Sequence, residues 1–273
     1  MKILIAVGKT TRLKTVIRFG LFVQQMTAGT LSLLVVVKKE KARMKAEALL
    51  AQANQYLEAA ESPITGHIRV GQLPEEIERE VIDGQYDLVV MGEPSQSLPF
   101  PRIALIGKED IVGYLTCPVL IAQGGVRPFH RVLVCEGGLE PLLLNRLADL
   151  LPLLLAQVEE WTVLHVMSQM AAGPGVAGWE LRAEADELIQ KHTPEGHLLE
   201  EGIAHLEQLN IRPEIKVRHG LVVREIASEV QSGDYDLVVI GAHPSTGWQR
   251  FLLDDLAHEI IDQIDRPLLV IKR

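Results

Sequence analysis

Gly8-Lys9-Thr10, at the end of an apolar run that starts near the N-terminus, has the chemistry of a phosphate grip. The glycine lets the backbone approach an anion, the lysine supplies charge and the threonine supplies a hydroxyl. Arg12 and Lys14 follow closely, so cations gather where a helix is expected to begin and its free N–H groups point outward. The complete phosphate-loop motif needs a further glycine five positions before Gly8; Ile3 stands there, so a true P-loop is excluded. What remains is an anion site or a solvated turn capped by Thr10 or Thr11.

A second stretch has a similar outline. The apolar run Leu237–Ile240 ends on Gly241, then His243 and the turn-rich Pro244-Ser245-Thr246-Gly247 precede an amphipathic segment. Strand, glycine-bearing loop and helix together can cradle an anion. His243 is placed either to bond a ligand in that loop or to cap the turn. Asp254 and Asp255 fall just beyond, where two carboxylates would face any bound phosphate. At about 4 Å and an effective dielectric near 20, each such like-charge pair costs about 4 kcal/mol, unless a cation sits between.

Other reactive residues read as structural. The histidines of "HTPEGH" (His192, His197) and the later His205 lack helical ligand spacing and have no cysteine near, so a surface connection is expected, not a metal site. His258-Glu259 reads as helix surface. Cys117 and Cys135 are too few for a disulfide framework and read as buried, inert thiols. No nucleophile has a base and an orienting acid at a recognisable spacing, so no catalytic residue and no enzymatic activity are expected. Trp179 and Trp248 are set down either for packing or for lining a crevice or partner surface.

The elements that must position these residues come from a repeat. "GQYDLVVMG" at 84–92 and "GDYDLVVIG" at 233–241 match at an offset of 149, as do Gly71 and Gly220, Ile77 and Ile226, Val81 and Val230, and Pro118 and Pro267. At the start of each half, "MKILIAVG" answers "HRVLVCEG" at an offset of 129, so the second half carries about 20 extra residues. Their glycine and proline content places them in a loop insertion near 168–195. Two domains follow, 1–125 and 126–273.

Each half alternates apolar runs with helical periodicity. Strands are expected near 3–7, 31–37, 64–70, 88–91 and 119–122, and again near 131–135, 161–167, 213–218, 237–240 and 267–271. Helices are expected near 11–27, 39–60, 73–83 and 103–115. The strands are continuous Val/Ile/Leu runs, as when helices cover both faces of a sheet. The fold class is therefore α/β: two tandem doubly wound, flavodoxin-like or Rossmann-like domains, each with a five-stranded parallel sheet. Ligands of such sheets lie beyond the strand C-termini, at the switch point.

Charge divides the halves: residues 1–125 carry a net +1 and residues 126–273 a net −10. The acidic half would repel a polyanion, which argues against nucleic acid as a partner. No uncharged apolar run reaches a membrane-spanning length, and the N-terminus lacks a signal-like segment. The expected location is the cytoplasm.

At "YDLVVMG" and "YDLVVIG", the turns "VGQLPEEI" and "RHGLVVREI", and the terminal "CPVLIAQ" and "RPLLVIKR", the chain resembles the universal stress protein family in tandem form. The resemblance implies dimerisation through last strands, so 118–122 and 267–271 would pair and form an internal pseudo-dimer; a homodimer is the alternative. Nucleotide-binding members carry Gly, two residues, Gly, nine residues, then Gly-Ser or Gly-Thr, with an adenine-facing Asp ending the first strand. On the second copy these positions are Gly241, Pro244 and Asp254-Asp255; on the first they are Gly92, Ser95 and Leu105-Ile106. The Asp position falls on Gly8 in the first copy, and on Gly137 or Glu136 in the second. The implied function is a non-catalytic stress-response protein acting by ligand or protein binding, with no cofactor and with ATP lost from domain 2. The alternatives are an ATP- or AMP-binding switch using Gly8, Lys9, Thr10, Gly92 and Ser95 with Lys108, or a small-molecule or metal module at Gly241, His243, Gly247 and Asp254-Asp255.

Overall fold

A computed structural model describes residues 1–7, 13–58, 64–92, 115–137, 142–150, 157–168, 183–208, 210–242, 257 and 259–272. Within them the strands are, in chain order, β1 (Lys2–Val7), β2 (Thr30–Val37), β3 (Thr65–Val70), β4 (Leu88–Gly92), β5 (Val119–Ala122), β6 (Arg131–Glu136), β7 (Glu160–Ser168), β8 (Glu214–Gly220), β9 (Leu237–Ala242) and β10 (Leu268–Lys272). All ten coincide with the runs anticipated from apolar patterning, to within two residues at each end. The helices with both ends described are α1 (Leu13–Thr27), α2 (Arg43–Glu58), α3 (Leu73–Gly84), α4 (Leu143–Leu150), α5 (Ala185–Gln190), α6 (Pro194–Gln208) and α7 (Val222–Ser232), and residues 259–263 are helical as well. Of the helix expected at 103–115, only residue 115 is described.

By its internal contacts the chain forms two compact units. In the first, which holds Met1–Val126 and Pro267–Lys272, the strand order is β3-β2-β1-β4-β5-β10. Its first five strands are parallel. β10 runs antiparallel to β5, with Leu268 opposite Ile121 and Val270 opposite Val119. The expected pairing of last strands is therefore present, and it covers the edge that β5 would otherwise expose. In the second unit the order is β9-β6-β7-β8, all parallel.

Register confirms the duplication residue by residue. Ile3 lies opposite Leu88 in the first copy, and Val132 opposite Leu237 in the second. Ser32 lies opposite Thr65, and Thr162 opposite Glu214. A slip of one position would turn every apolar side chain to the wrong face, so equal registers mean equal cores. β1 is buried from Ile3 to Val7 without alternation, as expected of a strand covered on both faces. Ile3, Leu4, Ile5, Val16, Phe19, Leu33 and Leu88 are completely enclosed in the first unit, and Leu133, Val134, Leu164, Leu237 and Val238 in the second.

The extra residues of the second copy are not all loop. Within the expected 168–195 insertion, residues 185–190 form α5, which packs with α6 and β8 through Ala185, Leu188, Leu199 and Val217. "HTPEGH" is likewise no simple connection, because α6 begins at Pro194 and carries His197. The Thr193 hydroxyl accepts a hydrogen bond from Gly196 N at 3.0 Å, capping that helix, and Pro194 needs no N–H donor in its first turn. Gly196 is required by close packing, since a Cβ there would run into the backbone of Leu188.

Candidate functional site

In each copy the switch point lies at the first strand, which has neighbours on both sides: β2 and β4 around β1, and β7 and β9 around β6. Ligands of doubly wound sheets sit beyond this point, where helix N-termini and loop N–H groups converge. Gly92, a candidate from the sequence, is the buried last residue of β4, one position beyond Met91, which pairs with Ala6 of β1. Gly241 occupies the matching place in β9 and is half-buried. Gly8, Lys9, Thr10, Ser95, Lys108, His243, Pro244, Gly247, Asp254 and Asp255 lie outside the described residues, as do Trp179 and Trp248.

The two switch points end on different side chains. β1 ends on Val7, completely buried. Its counterpart at the end of β6 is Glu136, only 3% exposed. One carboxylate oxygen of Glu136 accepts from Gly137 N at 3.1 Å, and the other from Leu144 N, in the first turn of α4, at 3.3 Å. The Glu136 carbonyl lies 3.0 Å from His165 Nδ1 on β7, which fixes that ring nitrogen as the donor.

The repeat motif itself proves to be scaffold. Asp87 accepts from Lys2 N at 2.7 Å, and Asp236 accepts from Arg131 N at 2.9 Å, so each Asp satisfies the first N–H of the switch-point strand. Gly84 and Gly233 stand where a Cβ would overlap the ring of Tyr86 or Tyr235, two residues on. The Gly-x-Tyr-Asp spacing thus lets a tyrosine ring lie against the helix end while the next residue pins the strand.

A second duplicated arrangement joins each edge strand to the helix after it. On the first copy, Arg69 of β3 pairs with Glu80 at 2.5 Å and Asp83 at 2.6 Å, with Glu76 at 3.8 Å. On the second, Arg218 of β8 pairs with Glu229 at 2.5 Å and Glu225 at 3.5 Å. Lys216 adds a bond to Glu229 at 2.9 Å, and the Tyr235 hydroxyl donates to Glu229 at 2.7 Å. Gly71 and Gly220 make room for the returning Glu76 and Glu225 carboxylates.

Burial alone would raise the carboxyl pKa of Glu229, but the bonds from Tyr235, Lys216 and Arg218 outweigh it and hold the value below the ordinary one. Burial disfavours the Lys216 charge, yet bonding to Glu229 leaves its pKa raised. The Tyr235 hydroxyl is pushed up, by burial first and by Glu229 as well. Lys216, Arg218 and Glu229 line a cleft of about 490 Å³ in the second unit with Glu184, Glu214 and Ser232. Its charges already neutralise one another across short bonds, which is the pattern of a structural network. Sequence reasoning did not single out this network. The signal was there, because Arg69 and Arg218, Glu80 and Glu229, and Glu76 and Glu225 all obey the same 149-residue offset.

The cysteines and two of the histidines complete the described candidates. Burial pushes the Cys117 thiol up to about 12, with Glu78 adding to the effect, and burial pushes Cys135 higher still. Neither is a ready thiolate. His192 and His197 stack with ring centroids 5.6 Å apart. Among the described residues no group of three or more His, Cys, Asp or Glu converges on a metal position, and no helix is long and apolar enough to cross a membrane.

Comparison with known proteins agrees with this architecture. The model for the universal stress protein family matches residues 1–123 and again residues 129–272. A universal stress protein of Methanocaldococcus jannaschii is 27% identical over 128 residues, which is 43% of this chain and 79% of that protein. Among solved structures, a universal stress protein from Archaeoglobus fulgidus superposes with a TM-score of 0.71 at 18% identity, covering 100% of this chain and 96% of that one. A functionally unknown protein from Pseudomonas aeruginosa PAO1 superposes with a TM-score of 0.67 at 16% identity, covering 99% and 92%. Matched twice along its length, the chain belongs to the universal stress protein family as a tandem member.

Proposed function

We propose that this universal stress protein is a non-catalytic, cytoplasmic binding protein of the stress response, and that its second copy does not bind ATP. The observation that carries the reading is the sequence that follows the fourth strand of the second copy. After Gly241 it places Pro244 and Asp254-Asp255 where nucleotide-binding members carry glycine and a Gly-Ser or Gly-Thr pair. Negative charge beside a triphosphate is repulsive, and a proline offers no N–H to hold it. Binding to a small ligand or to another protein is the role left to such a site.

A second reading is favoured by the first copy, where Gly92 ends β4 beside the switch-point strand and cationic residues follow Gly8 in the chain. On this reading the first copy is an ATP- or AMP-responsive switch.

Thermal unfolding with and without Mg·ATP separates the two. A ligand that binds only the folded chain at about 100 times its Kd adds about 2.7 kcal/mol of stability. No stabilisation by nucleotide supports two closed copies and directs the search to protein partners. Stabilisation that is lost in Lys9→Ala and retained in Asp254→Ala makes the first copy the nucleotide site. Stabilisation lost in Asp254→Ala alone, or hydrolytic turnover by the purified chain, overturns the proposal.

A further inference from the structure

We propose that the chain associates with a second molecule of itself, the basic entrance to α2 in one molecule docking on the acidic α5–α6 segment of the other. The proposal does not depend on whether either half binds a nucleotide.

The two surfaces occupy the same place in the repeat. α2 joins β2 to β3, and α5 and α6 join β7 to β8. Their charges are opposite. Residues 38–45 hold Lys38, Lys39, Lys41, Arg43 and Lys45 against one acid, Glu40. Residues 184–207 hold seven acids against one cation, Lys191. All five cations of the first segment are exposed, and so are Glu184, Asp186, Glu200, Glu201 and Glu207 of the second.

A charged helix surface is ordinarily its own partner, with cations and acids set at helical spacing. Here only Arg43 is paired in that way, with Glu40 at 3.2 Å and Glu47 at 3.7 Å. Among the described residues Lys38, Lys39, Lys41 and Lys45 have no carboxylate within ion-pair distance. On the acidic side Glu187 bonds Lys191 at 2.5 Å, and Glu200 lies 3.9 Å from a His197 nitrogen. The other five acids have no cationic partner among the described residues. The lysines also surround Met44, which is 81% exposed, more than any other large apolar residue described. One and two turns further on, α2 exposes Ala48, Ala51 and Gln52, a low uncharged stripe on the same side.

A methionine beside small uncharged side chains lets another surface approach closely, and the lysines around it select an acidic one. Every molecule carries both surfaces, so the complement is present wherever the chain is. The net charge of −9 opposes association at long range. At about 0.1 M salt, however, the screening length is about 10 Å, so apposed patches attract while distant charges are screened. The two patches differ, which makes the contact heterologous.

The test is sedimentation equilibrium of the full chain at about 0.1 M and about 1 M salt, between which the screening length falls from about 10 to about 3 Å. The expected result is a mass above that of one chain at the lower salt, with a Kd at least about tenfold larger at the higher salt. Two charge reversals then locate the contact. One combines Lys39→Glu, Lys41→Glu and Lys45→Glu; the other combines Glu200→Lys, Glu201→Lys and Glu207→Lys. Each alone should stay a single chain at the lower salt. An equal mixture of the two should associate again, because each reversed surface then meets its complement. All six positions are exposed, and circular dichroism checks that both variants fold. Should a reversal unfold, Lys41→Gln with Lys45→Gln, or Glu200→Gln with Glu201→Gln, should weaken association by the same route. A single-chain mass at the lower salt, association indifferent to salt, or association that survives both reversals would overturn the proposal. So would a mixture of folded reversals that stays apart.

Discussion

The two copies agree where a sheet has to be held together and part company where a ligand would lie. Asp87 and Asp236 satisfy the first N–H of β1 and β6 with bonds of 2.7 and 2.9 Å, and Gly84 and Gly233 seat Tyr86 and Tyr235 in the same way. Registers agree as closely. Against this, β1 ends on an enclosed valine and β6 on an enclosed carboxylate, and the charge changes from +1 to −10 between halves. The edge networks sit between these extremes: Arg69 and Arg218 correspond, but His67 of the first copy is Lys216 in the second. The difference teaches that the repeated sequence motif is a statement about folding, and that any difference in ligand between the copies has to be sought at positions the motif omits.

The comparison is sharpest at the network carboxylates. Glu229→Ala leaves Lys216, Arg218 and Tyr235 without their shared acceptor, and should destabilise the chain by about 2–3 kcal/mol in urea unfolding. That lies near the low end of the range for a broken buried pair, because Lys216 and Arg218 are about a third exposed and regain water. Glu80→Ala should cost about 1–2 kcal/mol, because Arg69 keeps Asp83 and Glu76. Equal costs would show that the added Lys216 and Tyr235 bonds contribute nothing. The next largest effect should be shared by both copies. Gly84→Ala and Gly233→Ala each force a Cβ into a tyrosine ring, for about 1–2 kcal/mol apiece, and a clear inequality would break the claim of a common scaffold.

The smallest effect concerns acid. Glu229 has its carboxyl pKa depressed below the ordinary 4.5, so its stabilisation is fully present above that value and is lost as pH falls through the folded-state pKa. Unfolding free energy measured from neutral pH down to strongly acid conditions should therefore fall less steeply in Glu229→Ala than in the wild type. Identical slopes would mean that Glu229 is not held ionised by its partners. Lys216, raised above the ordinary 10.5, contributes below that value and matters to pH dependence only in strongly alkaline solution.

Much of this architecture was legible because parallel sheets buried on both faces leave a simple trace. Five apolar runs per copy, spaced by helical periodicity, lead directly to strand positions. Doubling then reinforced each element by a second instance. Two features escaped for different physical reasons. α5 is six residues long, with Asp186 and Glu187 in its first turn and only Ala185 and Leu188 buried, too short to show an amphipathic period. The start of α6 was written in Thr193-Pro194-Glu195, a cap, a first-turn proline and a first-turn acid, but Pro194 and Gly196 together read as a surface connection instead. At the site, the sequence placed Glu136 at the end of β6 only within one residue. The direction of its side chain depends on the Gly137 and Leu144 amides, which no linear pattern reports.

The pairing of β10 with β5 also sets a timetable. Val119 and Val270 are partners roughly 150 residues apart in the chain, a separation that makes the contact slow to find. At synthesis rates of roughly 5–20 residues per second, the hydrogen-bonding edge of β5 is produced roughly 8–30 s before the strand that covers it. During that interval the nascent first unit exposes a β5 edge open to pairing with any passing strand. The ribosome-bound chain, rather than the finished protein, is therefore the form most exposed to misassembly, and the interval is where a chaperone would find its substrate.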